Sequence, residues 1–133
     1  MKRNKHLLQV DLGLLIIRVF AGLLMLVIHG LQKLLSWDRL FHSFPDPFAI
    51  GSEASFLLTI FAEVICSLLV IIGFFARYAV IPLIITMLVA TFIIHGNDPW
   101  TQRELPLLYA VSFTTLFFTG AGKYSVDYLV NRH

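Results

Sequence analysis

Four long apolar segments, at about 11–35, 55–75, 78–95 and 104–121, dominate the pattern of the chain, separated by short polar breaks. Each approaches the ~20 residues that a helix needs to cross a hydrocarbon core of ~30 Å. Within lipid every backbone N–H and C=O must be paired inside its own segment, so an open chain of this pattern is expected to be helical. Strand-like alternation is absent. The expected architecture is all-α: an antiparallel, integral-membrane four-helix bundle forming a single domain over residues 1–133.

The breaks refine this picture. Only Phe75, Ala76 and Arg77 separate the second and third segments, which predicts a tight antiparallel hairpin. The first connection is longer and holds Pro45, Pro47 and Gly51, which stop a helix from continuing. Just before them Trp37, Leu40, Phe41 and Phe44 fall at i, i+3, i+4 and i+7, the spacing of a short interfacial helix after the first span; an aromatic belt is the plainer reading. Pro82 and Pro106 are expected near the starts of their spans, where a missing N–H does least harm.

Composition narrows the function classes. With 58% hydrophobic and 14% charged residues, the chain is too apolar for a small soluble core. Its formal charge of +2 is carried by scattered residues, without the basic stripe that nucleic acid requires. The single Cys66 excludes an internal disulfide, a two-cysteine redox pair and a thiolate metal cage. Lys2, Arg3, Lys5, Arg77, Lys123 and Arg132 collect on one side of the proposed spans, against Lys33, Arg39 and Arg103 on the other. Both termini are therefore expected to be cytoplasmic. The amino-terminal apolar run is too long for a signal peptide and lacks a small-x-small cleavage site, so it is expected to be retained as the first span.

Ionisable groups inside a span cost at least ~2.5 kcal/mol each on insertion scales, and so need partners. Arg18, Gly22, Met25, His29 and Lys33 recur at helical steps with Gln32 beside them, and this face is expected to point inward. Thr59, Glu63 and Ser67 form a similar stripe on the second segment. An ion pair between Arg18 and Glu63 is expected, either as a strut fixing helix register or as part of a site. His29 and His95 fall near the outer ends of the first and third spans, with Gln32, Lys33 and Glu104 near the same mouth. These residues are the ligand-binding candidates. Two histidines without an assured third ligand give no case for a metal and little for haem; a hydrogen bond from one of them to a quinone carbonyl remains open. On the fourth segment Leu108, Ser112, Thr115 and Thr119 share a face suited to interhelical packing.

These residues resemble a known pattern. Leu15-Ile16-Ile17-Arg18-Val19, followed by His29-Gly30-Leu31-Gln32-Lys33-Leu34, is similar to the arginine and HGxxK signature in the first helix of DoxX-like membrane proteins. Phe44-Pro45-Asp46-Pro47 with Glu63, then His95, Glu104-Leu105 and Leu108-Tyr109, resemble its later parts, and Gly120-Ala121-Gly122-Lys123-Tyr124-Ser125-Val126-Asp127 its close. The resemblance covers nearly the whole chain in order, with Ala121 where the family pattern has proline. It implies a four-helix fold in a bacterial or archaeal inner membrane and a theme of quinone or oxidative-stress chemistry, including association with a thiosulfate:quinone oxidoreductase. Fold alone does not supply a function.

Two functions of different class follow. In the first, the chain is a quinone-binding or redox-associated membrane subunit of an oxidoreductase complex; electrons come from a partner, because there is no nucleotide fingerprint and no cysteine pair. In the second, it is a non-catalytic membrane scaffold or anchor for a partner protein. A small transporter ranks last, since four helices leave little room for a route without oligomers. The partners expected are lipid and a soluble or membrane oxidoreductase, with homo-oligomers left open. No cofactor is assured.

Overall fold

A computed structural model of the protein describes residues 4–131; Lys2, Arg3 and Arg132 from the charge count lie outside the described residues. Among the described residues the structure is all helical, with no strand. Three helices are long and apolar enough to cross a membrane: α1, Lys5–Leu35; α3, Ser52–Ile72; and α4, Ala76–Ile94. Between the first two lies a short helix, α2, Trp37–Leu40. A fourth long helix, α5, spans Trp100–Thr119 and is less apolar because Gln102, Arg103 and Glu104 sit in its first turns. A last short helix, α6, covers Val126–Val130.

The helices start and stop where backbone chemistry allows. Gly73 at φ 74° and Phe75 at φ 49° make the left-handed turn that separates α3 from α4, slightly earlier than the expected Phe75–Arg77 break. Pro82 and Pro106 lie inside α4 and α5, deeper than the first-turn positions that the sequence suggested. In the long first connection, Trp37, Phe41 and Phe44 place their rings 5.0, 6.1 and 5.3 Å from that of Phe56 on α3. The aromatic face of the α2 region is thus packed on protein.

Beyond it the Asp46 carboxylate accepts hydrogen bonds from the Ile50 and Gly51 amides and the Ser55 hydroxyl at 2.8–2.9 Å. Desolvation works against the charge, yet these three donors hold the Asp46 carboxyl below its ordinary value.

The core is the seam among the four long helices, built on Met25, Ala62, Val70, Val80, Leu83, Phe113 and Leu116. The register of α1 against α3 is set by two glycines. A Cβ on Gly30 would lie 2.7 Å from the Glu63 carbonyl oxygen, and one on Gly22 2.7 Å from the Ile71 side chain. Small residues let backbones approach where lipid offers no hydrophobic drive for helix association. On α5 the inward face is Tyr109, Ala110, Phe113 and Leu116. The expected packing stripe is corrected: Leu108 is 60% exposed, and Ser112 and Thr115 donate to the carbonyls of Leu108 and Val111 on their own helix. Hydroxyls satisfied by their own backbone have no need of a neighbouring helix.

Arg18 provides the second correction, because it does not meet Glu63. Its guanidinium is 2% exposed and donates to the carbonyls of Ile71, Ala121 and Tyr124. The glycine register explains this: Glu63 lies level with Gly30, roughly 18 Å along α1 from Arg18, beyond any arginine's reach. Arg18 instead ties the end of α3 to the Gly120–Ser125 segment. That segment is locked further by the Lys123 amide donating to Asp11 and by the Asp127 carboxylate accepting from the Phe75 and Ala76 amides at 2.7 and 3.0 Å. The carboxy-terminal segment therefore lies beside the first turns of α1.

Three outcomes follow from this architecture. Gly30→Ala forces α1 away from α3 and lowers stability by about 1–3 kcal/mol, whereas Gly13→Ala, with nothing within 4 Å of its added methyl, does not; thermal unfolding in detergent compares the two. Arg18→Met strands buried carbonyls and costs about 3 kcal/mol or more, with faster proteolysis after Gly120 as the local readout. For Asp46 the depressed value means that its clasp is fully formed above the ordinary aspartate range and is lost as pH falls below it. Tryptophan fluorescence from Trp37 should report this acid transition in the wild type and lack it in Asp46→Asn.

Candidate functional site

Opposite the Arg18 end, α1 and α3 bring two charged side chains together. Lys33 Nζ lies 2.7 Å from Glu63 Oε2, with the Glu63 side chain 4% and that of Lys33 22% exposed. This pair takes the place of the expected Arg18–Glu63 bridge. At this distance the ammonium is both counter-charge and hydrogen-bond donor to the carboxylate. Glu63 sits roughly 16 Å along α3 from its start at Ser52, at a depth where an isolated carboxylate is costly. Lys33, close to the end of α1, brings the compensating charge from the nearer interface.

Glu63 falls within an irregular turn, and Lys33 falls just after one. The helix widens to π geometry over Met25–Gly30 in α1, Phe61–Cys66 in α3 and Ala90–Ile94 at the end of α4. Such a turn inserts an extra residue and rotates the following side chains to a new face. Accordingly Arg18, Gly22 and Met25 are fully buried, while His29 turns toward α5 and Lys33 toward α3.

A cavity of about 340 Å³ opens beside the pair. Lys33, Glu63 and His95 bring charge or hydrogen-bonding capacity to it, and Leu58, Ile85 and Val89 are among its apolar walls. The first connection closes one side with Phe44, Pro45, Pro47, Phe48 and Ile50, the part held in shape by the Asp46 clasp. Thr59 and Thr86 also line it, but their hydroxyls donate to the carbonyls of Ser55 and Pro82. Lys33 is therefore the main donor available to a bound molecule. His95 stands at the rim with Nδ1 2.7 Å from Asp98 Oδ2, half in the cavity and half toward solvent.

The other candidates are dispersed. His29 packs edge-on against Tyr109, ring centres 5.6 Å apart, and lies outside the cavity lining, with its Nε2 buried and unpartnered. Gln32 and Glu104 are exposed and line no part of the cavity. Among the described residues no group of three or more His, Cys, Asp or Glu is placed to hold a metal ion. Tyr109 is the residue that sequence reasoning left without a role: it is 7% exposed and within electrostatic influence of Glu63. Its inward place among Ala110, Phe113 and Leu116 on α5 was the available signal. Ser67, one helical turn beyond Glu63, is fully buried with its hydroxyl unpartnered.

Comparison with known proteins agrees with the pattern of these helices. An uncharacterised protein of Haemophilus influenzae is 32% identical over 94 residues, covering 67% of this chain. The matched part is 62% of that relative's length, so the chain spans under two thirds of it. No solved structure matches. The sequence model of the DoxX family matches residues 13–96, which takes in α1 from Gly13 onward, the first connection, α3 and α4 with the Lys33–Glu63 pair and His95. The chain is a membrane protein of the DoxX family.

Proposed function

We propose that this protein is a quinone-binding, redox-associated membrane subunit, with the cavity beside Lys33 and Glu63 as its binding site. The observation that carries the reading is the conjunction of a buried ion pair with an apolar cavity of about 340 Å³. Small-molecule sites of that kind are mostly apolar, with a few placed polar groups that fix orientation, and this volume lies at their lower end. A single substituted ring fits, with its tail leaving toward lipid.

Lys33 donates to a ring carbonyl oxygen while Glu63 keeps the ammonium charged in an apolar setting. His95, oriented by Asp98, holds a proton at the rim, where the cavity meets solvent. The chain carries no nucleotide motif and a single buried Cys66, so a partner oxidoreductase supplies the electrons in this reading. We place the protein in a bacterial or archaeal inner membrane as a four-span bundle, with α5 the fourth span and both termini cytoplasmic. The scaffold reading is favoured by one specific feature, the Arg18 lock, which joins three carbonyls and lies outside the Lys33–Glu63 cavity.

Titration of purified protein with a short-chain quinone separates the two readings. Glu63→Gln and Lys33→Gln should each weaken binding by about tenfold or more, equivalent to ~1.4 kcal/mol, and His95→Ala by less, while His29→Ala leaves it unchanged. Equal affinity in wild type, Lys33→Gln and Glu63→Gln defeats the proposal and leaves the scaffold.

A further inference from the structure

A second recess, of about 830 Å³, lies at the opposite end of the molecule, bounded by the start of α4, the end of α5 and the carboxy-terminal segment. From it we infer a binding site for the phosphodiester headgroup of a membrane phospholipid, held by Arg77.

The guanidinium of Arg77 is laid along the backbone at Gly120. A Cβ there would come within 3.2 Å of Nε and 3.4 Å of Nη2, and Gly120 has φ 74°, a conformation that also favours glycine. Among the described residues the hydrogen bond of Arg77 is one long contact, Nη2 to the Phe118 carbonyl at 3.4 Å. A guanidinium carries five N–H donors in a fixed fork, so most of them have no protein acceptor among the described residues, and Arg77 lines the recess. Planar, bidentate recognition of a phosphate is what this fork does best. Lys123 adds a second cation to the lining.

Two carboxylates share the recess, and both are engaged by backbone. Asp127 accepts from the amides of Phe75 and Ala76, where its charge complements the start of α4, and Asp11 accepts from the Lys123 amide. Asp127 forms no ion pair with Arg77 among the described residues.

The shoulders of the recess argue for a lipid over a free anion. Phe75, Tyr78, Phe117 and Tyr128 line it and are all substantially exposed, Tyr78 at 72%, with exposed Phe118 adjacent. Aromatic side chains of this exposure mark the headgroup level of a membrane. A phosphate seated on Arg77 thus has apolar surface beside it for acyl chains, which inorganic phosphate does not need.

Native mass spectrometry of the full chain, released from mild detergent with added phosphatidylglycerol or phosphatidylethanolamine, reads the site directly. The wild type should retain one phospholipid of either kind, Arg77→Gln should lower the retained fraction about tenfold, and Arg77→Lys, keeping charge without the fork, should fall between. Lys5→Gln, which alters a cation outside the recess lining, should behave as wild type, and excess inorganic phosphate should not displace the lipid. Retention equal to wild type in both Arg77 variants overturns the site; displacement by inorganic phosphate overturns its assignment to lipid. The thermal midpoint with and without added lipid gives an independent reading, with lipid raising that of the wild type more than that of Arg77→Gln.

Discussion

The close approach of α1 to α3 at Gly22 and Gly30 governs the rest of the molecule. In lipid, apolar side chains gain nothing by leaving their surroundings, so helices are held by backbone proximity, packing and polar contacts. Gly30 lies over the Glu63 carbonyl and Gly22 over Ile71, and a methyl group at either position meets atoms at 2.7 Å. That contact fixes the antiparallel register, and the register decides which charges meet. Lys33 falls beside Glu63; Arg18, farther along the same helix, falls beside the end of α3.

Two unlike ends result. At the Arg18 end, polar groups are matched to one another: a guanidinium on carbonyls, and Asp127 and Asp11 on backbone amides. At the Lys33 end, irregular turns interrupt three helices, and the freed groups find partners outside the regular ladder. The Thr91 carbonyl, for example, accepts from Arg103 Nε at 3.0 Å, and the same guanidinium stacks 4.0 Å over the Trp100 ring. Departures from regular helix concentrate where the cavity is.

The sequence disclosed helix positions well, because apolar length is a direct consequence of hydrocarbon thickness. It also identified the inward face of α1 and the buried stripe of Glu63 and Ser67 from helical spacing. The pairing of Arg18 with Glu63 failed for a definable reason: depth was counted from assumed span ends, and no helical period reveals the offset between two helices. Gly22 and Gly30 carried that information, but only as permissive residues whose contacts appear once α3 is in place. The stripe of hydroxyls on α5 misled in the same way, since Ser112 and Thr115 can satisfy themselves on their own helix. His29 and Lys33, four residues apart, looked like one site; the wide turn at Met25–Gly30 sends them to different neighbours.

The contrast between satisfied and unsatisfied polar groups separates support from function. Arg18 is as deeply buried as Glu63, yet its donors have carbonyl partners, and such a group explains itself as a fastening. His29 Nε2 and Ser67 Oγ are buried without a hydrogen-bond partner, and each lies about one helical turn along the chain from a member of the Lys33–Glu63 pair. Buried polar atoms are so generally hydrogen-bonded that each exception needs a physical reason. Lys33 offsets the charge of Glu63, and both side chains still border the cavity. In the proposed reading a ring carbonyl carried in from the lipid phase takes its hydrogen bond from Lys33, because the Glu63 carboxylate can only accept.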